Sequence, residues 1–225
     1  ALCRRLDGIP LAIELAAARM RALSVAEIGR RLDDRFRLLT GGHRAQLPRQ
    51  RTLEATIAWS YDLLEPAERA LFVRLSAFAG GFELDAAARV CADATDVAVV
   101  DALVAKSLVV AYDRGDATRF RMLDSIREFA RDRLAAGGDA TAVRDAHAAW
   151  CADLARAAHD ALRGPDQAAW IGRLDAELDN LRAALGWTAG RAVPGDEALA
   201  LAAKLWRYWH LTGRVNEGRE HTERA

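Results

Sequence analysis

Hydrophobic positions recur at helical spacing along almost the whole chain, and only one short stretch alternates instead. In residues 1–52, two amphipathic stretches predict two helices of a small bundle. The second helix is predicted to begin at Ser24, where Ser-Val-Ala-Glu has the pattern of a capping box. Further along, one helical stripe places four large apolar side chains on a single face: Leu71, Phe72, Leu75 and Phe78.

Residues 53–136 combine helical stretches with the alternating segment. We predict N-caps for two of these helices at Asp85 and Thr95. The period then falls towards two on either side of Gly115, which predicts a β-hairpin, and a closing helix follows from about Asp124. Helices, a two-stranded wing and a closing helix, in this order, predict a winged helix.

Residues 137–225 are helical by pattern throughout. Long, Ala-rich amphipathic stretches at 143–162, 166–185 and 196–210 predict helical hairpins, and hairpins of this size suggest stacked repeats. The predicted fold is therefore mainly α: a helical bundle, a winged helix with a small β-hairpin, and α-helical hairpins.

Composition and charge narrow the classes of function. The 32 basic and 32 acidic residues cancel, which removes a global electrostatic drive towards nucleic acid or a membrane surface. The charge is uneven, because residues 1–52 hold 11 basic and 5 acidic groups (+6), residues 53–136 hold 10 and 14 (−4), and residues 137–225 hold 11 and 13 (−2). Three cysteines without a C-x-x-C pair and the lack of a long apolar run predict a cytoplasmic protein. The chain opens without a methionine, so we expect a piece of a longer protein.

The third predicted helix of the winged helix, residues 96–107, would be the one to enter a DNA groove. It reads DVAVVDALVAKS, so that Asp96 and Asp101 are acidic and Lys106 is its single cation. Groove-reading helices present Arg, Lys, Asn or Gln to base edges and several cations to phosphates. The sequence therefore favours a packing or switch role for this module over DNA binding.

For two further features we favour a structural explanation over a binding site. His147 and Cys151 stand four residues apart on a predicted helix and could both bind a metal, but no second pair completes such a site. Trp206, Tyr208 and Trp209 form an aromatic cluster that is more often the core of a helical hairpin than a stacking platform.

A Gly-Ile-Pro stretch, Gly8 to Pro10, could bring backbone and a flat apolar ring close to a ligand, although local physics favours a simple helix start. Three stretches of the chain follow one another in this order: GIPLAIELAAARMRAL, IAWSYDLLEPAERALFVRLSAFAGGFELD and RFRMLDSIREFARDRL. In that order they resemble the C-terminal half of the NB-ARC, or STAND-class, ATPases, and most of all the bacterial transcriptional regulators of LuxR-type or AfsR-like architecture. The tail from about Ala198 resembles the start of a tetratricopeptide repeat.

The resemblance implies a division of the chain and a nucleotide site. Residues 1–52 would be a helical lid and linker, 53–136 the winged helix, and 137–225 a region of tetratricopeptide-like repeats. Gly8 and Pro10 would lie against the adenine of ATP or ADP. Met122-Leu123-Asp124 corresponds to the family's Met-His-Asp motif, whose histidine approaches a phosphate.

This sequence departs from the family at the histidine position. Leu123 cannot donate a hydrogen bond, which removes the family's phosphate contact at this position; Arg121 or Arg119 on the adjacent strand could supply one instead, and the alternative is that both belong to a solvated strand face. The predicted cofactor-binding set is Gly8, Pro10, Arg121, Leu123 and Asp124.

No G-x-x-x-x-G-K-[ST] motif occurs, so we expect this chain alone to be no enzyme and to hold no cofactor. ATP or ADP would belong to the intact protein, whose nucleotide-binding domain would lie upstream and act as an intramolecular partner. The resemblance implies a nucleotide-switched transcriptional regulator, in which the repeats sense a protein or small-molecule inducer and DNA is bound only through a distal domain. The alternatives are an interaction scaffold that does not depend on nucleotide, and a winged-helix module that binds DNA.

Overall fold

The computed structural model describes residues 3, 6, 9–31, 48–92, 95–115, 117–190 and 196–225, with side chains from Thr52 onwards in the helix that begins at Pro48. The fold is mainly helical and contains a two-stranded antiparallel sheet, as predicted. The elements in chain order are α1 (Pro10–Ala18), α2 (residues 25–31), α3 (Pro48–Asp62), α4 (Pro66–Leu75), α5 (Leu84–Cys91), α6 (Val97–Ala105), β1 (Val110–Arg114), β2 (Ala117–Arg121), α7 (Asp124–Gly137), α8 (Ala140–Ala161), α9 (Gln167–Ala176), α10 (Leu178–Ala189), α11 (Glu197–Leu211) and α12 (Val215–Arg224).

The N-terminal helices form a small bundle around a core of their own. Pro10 stands at the first position of α1, where its missing N–H costs nothing. The hydroxyl of Ser24 accepts a hydrogen bond from the Glu27 N–H at 3.2 Å, which confirms the predicted cap of α2. The core of this bundle consists of Leu6, Ala12, Ala16, Ile28 and Trp59. Residues 32–47, which fall within the predicted lid and linker, lie outside the described residues.

The winged helix consists of α4 to α7 and the hairpin between α6 and α7. A reciprocal capping box of Glu65 and Glu68 starts α4, whose face buries Phe72 completely. The hairpin pairs Val110 with Arg121 and Arg114 with Ala117, and it turns at Gly115 at a φ of 61°, where a glycine costs little.

Two of the predicted N-caps are wrong, each by one or two residues. Glu83 precedes α5, and Asp85 lies inside its first turn. Asp96 caps α6 by accepting a hydrogen bond from the Ala98 N–H at 2.9 Å, whereas Thr95 donates its hydroxyl to the Ala87 carbonyl. A periodicity locates a helix to within a turn, but the backbone conformation decides which polar residue caps it.

The C-terminal helices pack around a second core. The helix predicted at 166–185 is in fact two helices, since α9 ends and α10 begins at Glu177, whose φ of −103° and ψ of 8° interrupt the helix. α11 and α12 form a tight hairpin, because a Cβ at Gly218 would collide with the indole of Trp209. Tyr208 and Trp209 are buried in this core, as favoured above, and Trp206 is exposed.

Candidate functional site

The winged helix and the C-terminal helices, here called the helical array (α8 to α12), meet at the turn that follows α4. This turn is held by the side chain of one residue, Asn180 of α10, which is completely buried. Its carbonyl oxygen accepts from the Ala79 N–H at 2.9 Å and the Gly80 N–H at 3.3 Å, and its amide nitrogen donates to the Gly81 carbonyl at 2.8 Å. A single amide therefore fixes three consecutive backbone groups of the other module.

A buried ion pair spans the same junction. Arg119 of β2 is 2% exposed and lies 2.6 Å from Glu177 of the array and 3.0 Å from Glu83 of the winged helix. Burial alone would lower the pKa of Arg119, but the hydrogen bond and charge of Glu177 outweigh it and hold that pKa above its ordinary value. Glu177 also accepts from the Asn180 amide at 2.6 Å, which joins the ion pair to the amide contact.

Arg119 is therefore neither of the things that the sequence suggested. It was expected to contact a phosphate or to lie on a solvated strand face, and the structure buries it against two carboxylates. Its Nε also lies 3.4 Å from the hydroxyl of Tyr112, against which Gly81 packs so closely that a Cβ there would collide with it. Of the two candidate strand arginines, Arg121 alone remains available to a phosphate.

His147 and Cys151 lie on α8 beneath the junction. Both are buried, with 4.0 Å between Cys151 Sγ and His147 Nε2, and Asn180 is the nearest polar neighbour of the histidine at 3.4 Å. Burial lowers the pKa of His147 to about 4 and raises the pKa of the Cys151 thiol, so both groups are neutral near pH 7. Within the described ranges no group of three or more potential metal ligands comes together, and these two residues belong to the core, as favoured.

The predicted nucleotide-contacting residues occupy separate parts of the described structure. Pro10 is exposed at the start of α1, and α1 packs on α3, which packs in turn on α7. Leu123 precedes α7 and packs against the winged-helix core, while Asp124 is exposed and lies 3.3 Å from Arg127. The fifth predicted residue, Gly8, lies outside the described residues. Binding through these residues stays a prediction.

Arg121 is the exposed cation nearest to the Leu123 position in the chain. It ends β2, and its guanidinium lies over the ring of Tyr112 at 5.8 Å from the centroid. A guanidinium supported on one face by an aromatic ring keeps its N–H groups in the plane free for an anion.

Comparison with known families identifies the central module. Residues 64–135 match the family model described as a winged helix-turn-helix domain, a span that runs from just after α3 into the last turn of α7. The geometry of α4 to α7 and the hairpin agrees with this match. The module is a winged helix-turn-helix domain.

The chain is also similar to longer mycobacterial proteins. It is 44% identical over 225 aligned positions to proteins of Mycobacterium bovis and Mycobacterium tuberculosis that bear the name "Putative HTH-type transcriptional regulator"; the alignment covers 96% of this chain and 25% of each relative. An uncharacterized protein of Mycobacterium tuberculosis is 45% identical over 148 residues, 63% of this chain and 38% of the relative. The chain spans about a quarter of the length of the first of these curated relatives.

No solved structure matches the chain significantly. In the part of the chain that the structure describes, no helix is both long and apolar enough to cross a membrane. The winged helix-turn-helix domain and its similarity to HTH-type regulators support a regulatory role.

The surface of α6 in the winged helix-turn-helix domain is apolar and acidic. Its outward positions include Val97, which is 56% exposed, and the exposed Asp101. Its cation, Lys106, forms an ion pair with Glu68 of α4, whose side chain is only 9% exposed. The helix therefore offers a DNA groove no unengaged positive charge.

A cleft between α3 and α7 is acidic as well. It has a volume of about 350 Å³ and is lined by three carboxylates, Glu54, Glu128 and Asp132, together with apolar side chains and Ser125. A phosphate would be repelled by this cleft, so the face of α7 that borders α3 is unsuited to bind the nucleotide phosphates.

Sequence reasoning missed the residues that fasten the junction. Asn180 and Glu177 looked like ordinary polar positions of one long helix, and nothing local marks them as buried. The available signal was composition, because Asn180 and Asn216 are the chain's two asparagines, and Asn180 lies on the face of α10 that also carries Leu181, Ala184 and Leu185.

Proposed function

We propose that this chain is a regulatory part of a nucleotide-switched signal-transduction ATPase that acts as a transcriptional regulator. In this proposal the winged helix-turn-helix domain is an intramolecular switch, and the helical array senses a ligand or partner. The nucleotide, ATP or ADP, is bound by an upstream domain of the intact protein, and this chain alone hydrolyses nothing.

The observation that carries the proposal is the division of surfaces on the winged helix-turn-helix domain. Its α6 surface is apolar and acidic, with Lys106 engaged by Glu68, while its opposite end is fastened to the array through Arg119 and Asn180. A domain so attached moves with the array as one body. A ligand that changes the position of the array would therefore change the position of this domain relative to the nucleotide.

The exposed residues near the start of α7 would read the nucleotide. Arg121 is exposed, and its guanidinium lies over the ring of Tyr112. It stands two positions before Leu123 in the sequence, so it is suited to a phosphate of ADP. Pro10, exposed at the start of α1, would lie against the adenine, with Gly8 before it.

The test uses the intact protein with its upstream domain. We expect calorimetry to give at least tenfold weaker ADP binding in Arg121→Ala with a smaller change for ATP, because a charge-assisted hydrogen bond is worth about 1.5–3 kcal/mol. Arg114→Ala, at the far end of the same hairpin, is the matched control and should bind ADP as the wild type does. Unchanged ADP affinity in Arg121→Ala, or no nucleotide binding by the wild type, would leave a nucleotide-independent scaffold as the better explanation.

DNA binding by this domain is the second candidate, and the exposed wing arginines favour it. Arg114 and Arg121 lie at the two ends of the paired strands and could contact backbone phosphates. The net charge of −4 in residues 53–136 and the acidic α6 surface oppose it. We expect fluorescence anisotropy to detect no submicromolar binding to a random-sequence duplex at about 0.15 M salt. Submicromolar binding that the double variant Arg114→Gln, Arg121→Gln abolishes would establish DNA as the partner of this domain.

A further inference from the structure

A second cleft borders α7 on the side opposite to the acidic one. It has a volume of about 320 Å³ and lies where α7, the turn after α4, α8 and α10 meet. Three arginines line it, namely Arg127 and Arg131 of α7 and Arg144 of α8. The other lining residues are small, polar or aromatic, and no carboxylate is among the described residues that line it. We call it the arginine pocket.

The arginines of this pocket are largely unengaged. Over the described residues, Arg131 makes no ion pair or hydrogen bond through its side chain, and Arg144 makes only a cation–π contact, at 5.0 Å from the Trp187 ring centroid. Arg127 reaches Asp124 at 3.3 Å, but that carboxylate is 94% exposed, and Arg127 Nε is buried without a hydrogen-bond partner. Three guanidinium groups thus surround one cavity, and the single carboxylate among the described residues that pairs with any of them, Asp124, is screened by solvent.

This arrangement is unusual in a chain whose charges otherwise cancel. Several other arginines of the array are instead paired with carboxylates, such as Arg182 with Glu217 at 2.6 Å and Arg214 with Asp175 at 3.2 Å. Like charges around a common cavity repel one another, and a bound anion would relieve that repulsion. Planar guanidinium groups match the oxygens of a phosphate in pairs, so the anion best suited to three of them carries one or more phosphates.

The size and position of the pocket select the class of ligand. A volume of about 320 Å³ lies at the small end of the range for sites that hold small molecules. Its walls come from both modules, since Arg127 and Arg131 belong to the winged helix-turn-helix domain and Arg144 and Trp187 belong to the array. A ligand in it would contact both sides of the junction that Asn180 fastens.

We propose that the arginine pocket binds a phosphate-bearing small molecule and that its occupation strengthens the junction between the winged helix-turn-helix domain and the array. This site is separate from the predicted nucleotide-contacting residues, and the inference stands whether or not the intact protein binds ATP or ADP.

The test titrates the 225-residue chain with inorganic pyrophosphate at constant ionic strength by calorimetry. We expect one site per chain and a pyrophosphate-dependent rise in Tm. Arg131→Gln and Arg144→Gln should each weaken binding at least tenfold, which is the loss expected for one charge-assisted contact. Arg133→Gln, an exposed arginine of the same helix that points to Phe129 and Tyr61 instead, is the matched control and should bind normally.

Three results would overturn the proposal: no binding at millimolar pyrophosphate, equal weakening in Arg133→Gln, or unchanged affinity in both pocket variants. Because Arg131 is exposed and carries no contact of the core, its variant should fold normally, and circular dichroism checks this. The predicted nucleotide contact at Arg121 plays no part here, so this experiment can fail without affecting the proposed nucleotide switch, and the converse also holds.

Discussion

Asn180 offers the sharpest test of how the winged helix-turn-helix domain is fastened to the array. Replacing it with alanine removes the partner of the Ala79 and Gly80 N–H groups and of the Gly81 carbonyl. A buried backbone group that loses its partner costs about 1–3 kcal/mol, and these groups are only partly buried, so each loss falls near the lower end. We expect Asn180→Ala to lower the free energy of unfolding by about 3–5 kcal/mol.

Asn180→Asp distinguishes lost hydrogen bonds from lost volume. The aspartate has nearly the same shape and can still accept from the two N–H groups, but it cannot donate to Gly81, and it places a second carboxylate where the amide now lies 2.6 Å from Glu177. We expect this isosteric variant to be at least as destabilised near pH 7 as Asn180→Ala. The difference in unfolding free energy between Asn180→Asp and the wild type should become smaller on acidification, because protonation of either carboxyl removes the repulsion.

The assay is urea denaturation of the chain, followed by circular dichroism and by tryptophan fluorescence. Asn216→Ala is the matched control, because Asn216 is exposed on α12, and we expect its unfolding free energy to stay within about 0.5 kcal/mol of the wild type. A loss below about 1 kcal/mol in Asn180→Ala would refute the reasoning, as would an Asn180→Asp variant as stable as the wild type, since neither fits an amide that bridges two modules.

Two further stability predictions follow from buried side chains. Phe72 is completely buried and its ring centroid lies 5.6 Å from that of Tyr61, so Phe72→Ala should cost about 3–5 kcal/mol in thermal or urea unfolding; a loss under about 1 kcal/mol would contradict this burial. The folded-state pKa of His147, about 4, lies below its ordinary 6.5, so between these values the unfolded chain binds a proton that the native chain does not. The unfolding free energy should fall by about 3 kcal/mol as the pH drops through this window, and this part of the slope should be missing in His147→Gln; parallel pH profiles of the two proteins would refute the assignment.

Local patterns predicted the elements well where one face of a helix or strand decides the structure. The wing turns at Gly115 as the change of period predicts, and Ser24 caps its helix, because both features depend on residues within one turn of each other. The break at Glu177 could not be found in this way. The side chain of Glu177 pairs with an arginine on a distant strand, and a helical periodicity carries no information on a partner so far along the chain.

In the candidate site, too, local sequence decides some features and distant packing decides others. The sequence placed Arg119 and Arg121 together on one strand, and alternation puts them on the same face of the hairpin, so no local rule could separate their roles. Packing separates them, since the array covers the middle of that face and leaves its end open. Arg119 is consequently buried against Glu177, while Arg121 remains exposed.

The wing is covered on both faces at two successive residues of β2, Arg119 and Phe120, while most of its other residues are exposed, and this bears directly on what the winged helix-turn-helix domain can do. On one face Phe120 stacks on Phe82 with ring centroids 5.9 Å apart and exchanges two backbone hydrogen bonds with it, each 2.8 Å long. On the other face Arg119 reaches the array through Glu177. A buried ion pair contributes little net stability but fixes which surfaces meet, because either partner alone would be a buried unpaired charge. Separating the wing from the array would expose that pair, so we expect a displacement of the array to carry the wing, and Arg121 at its end, along with it.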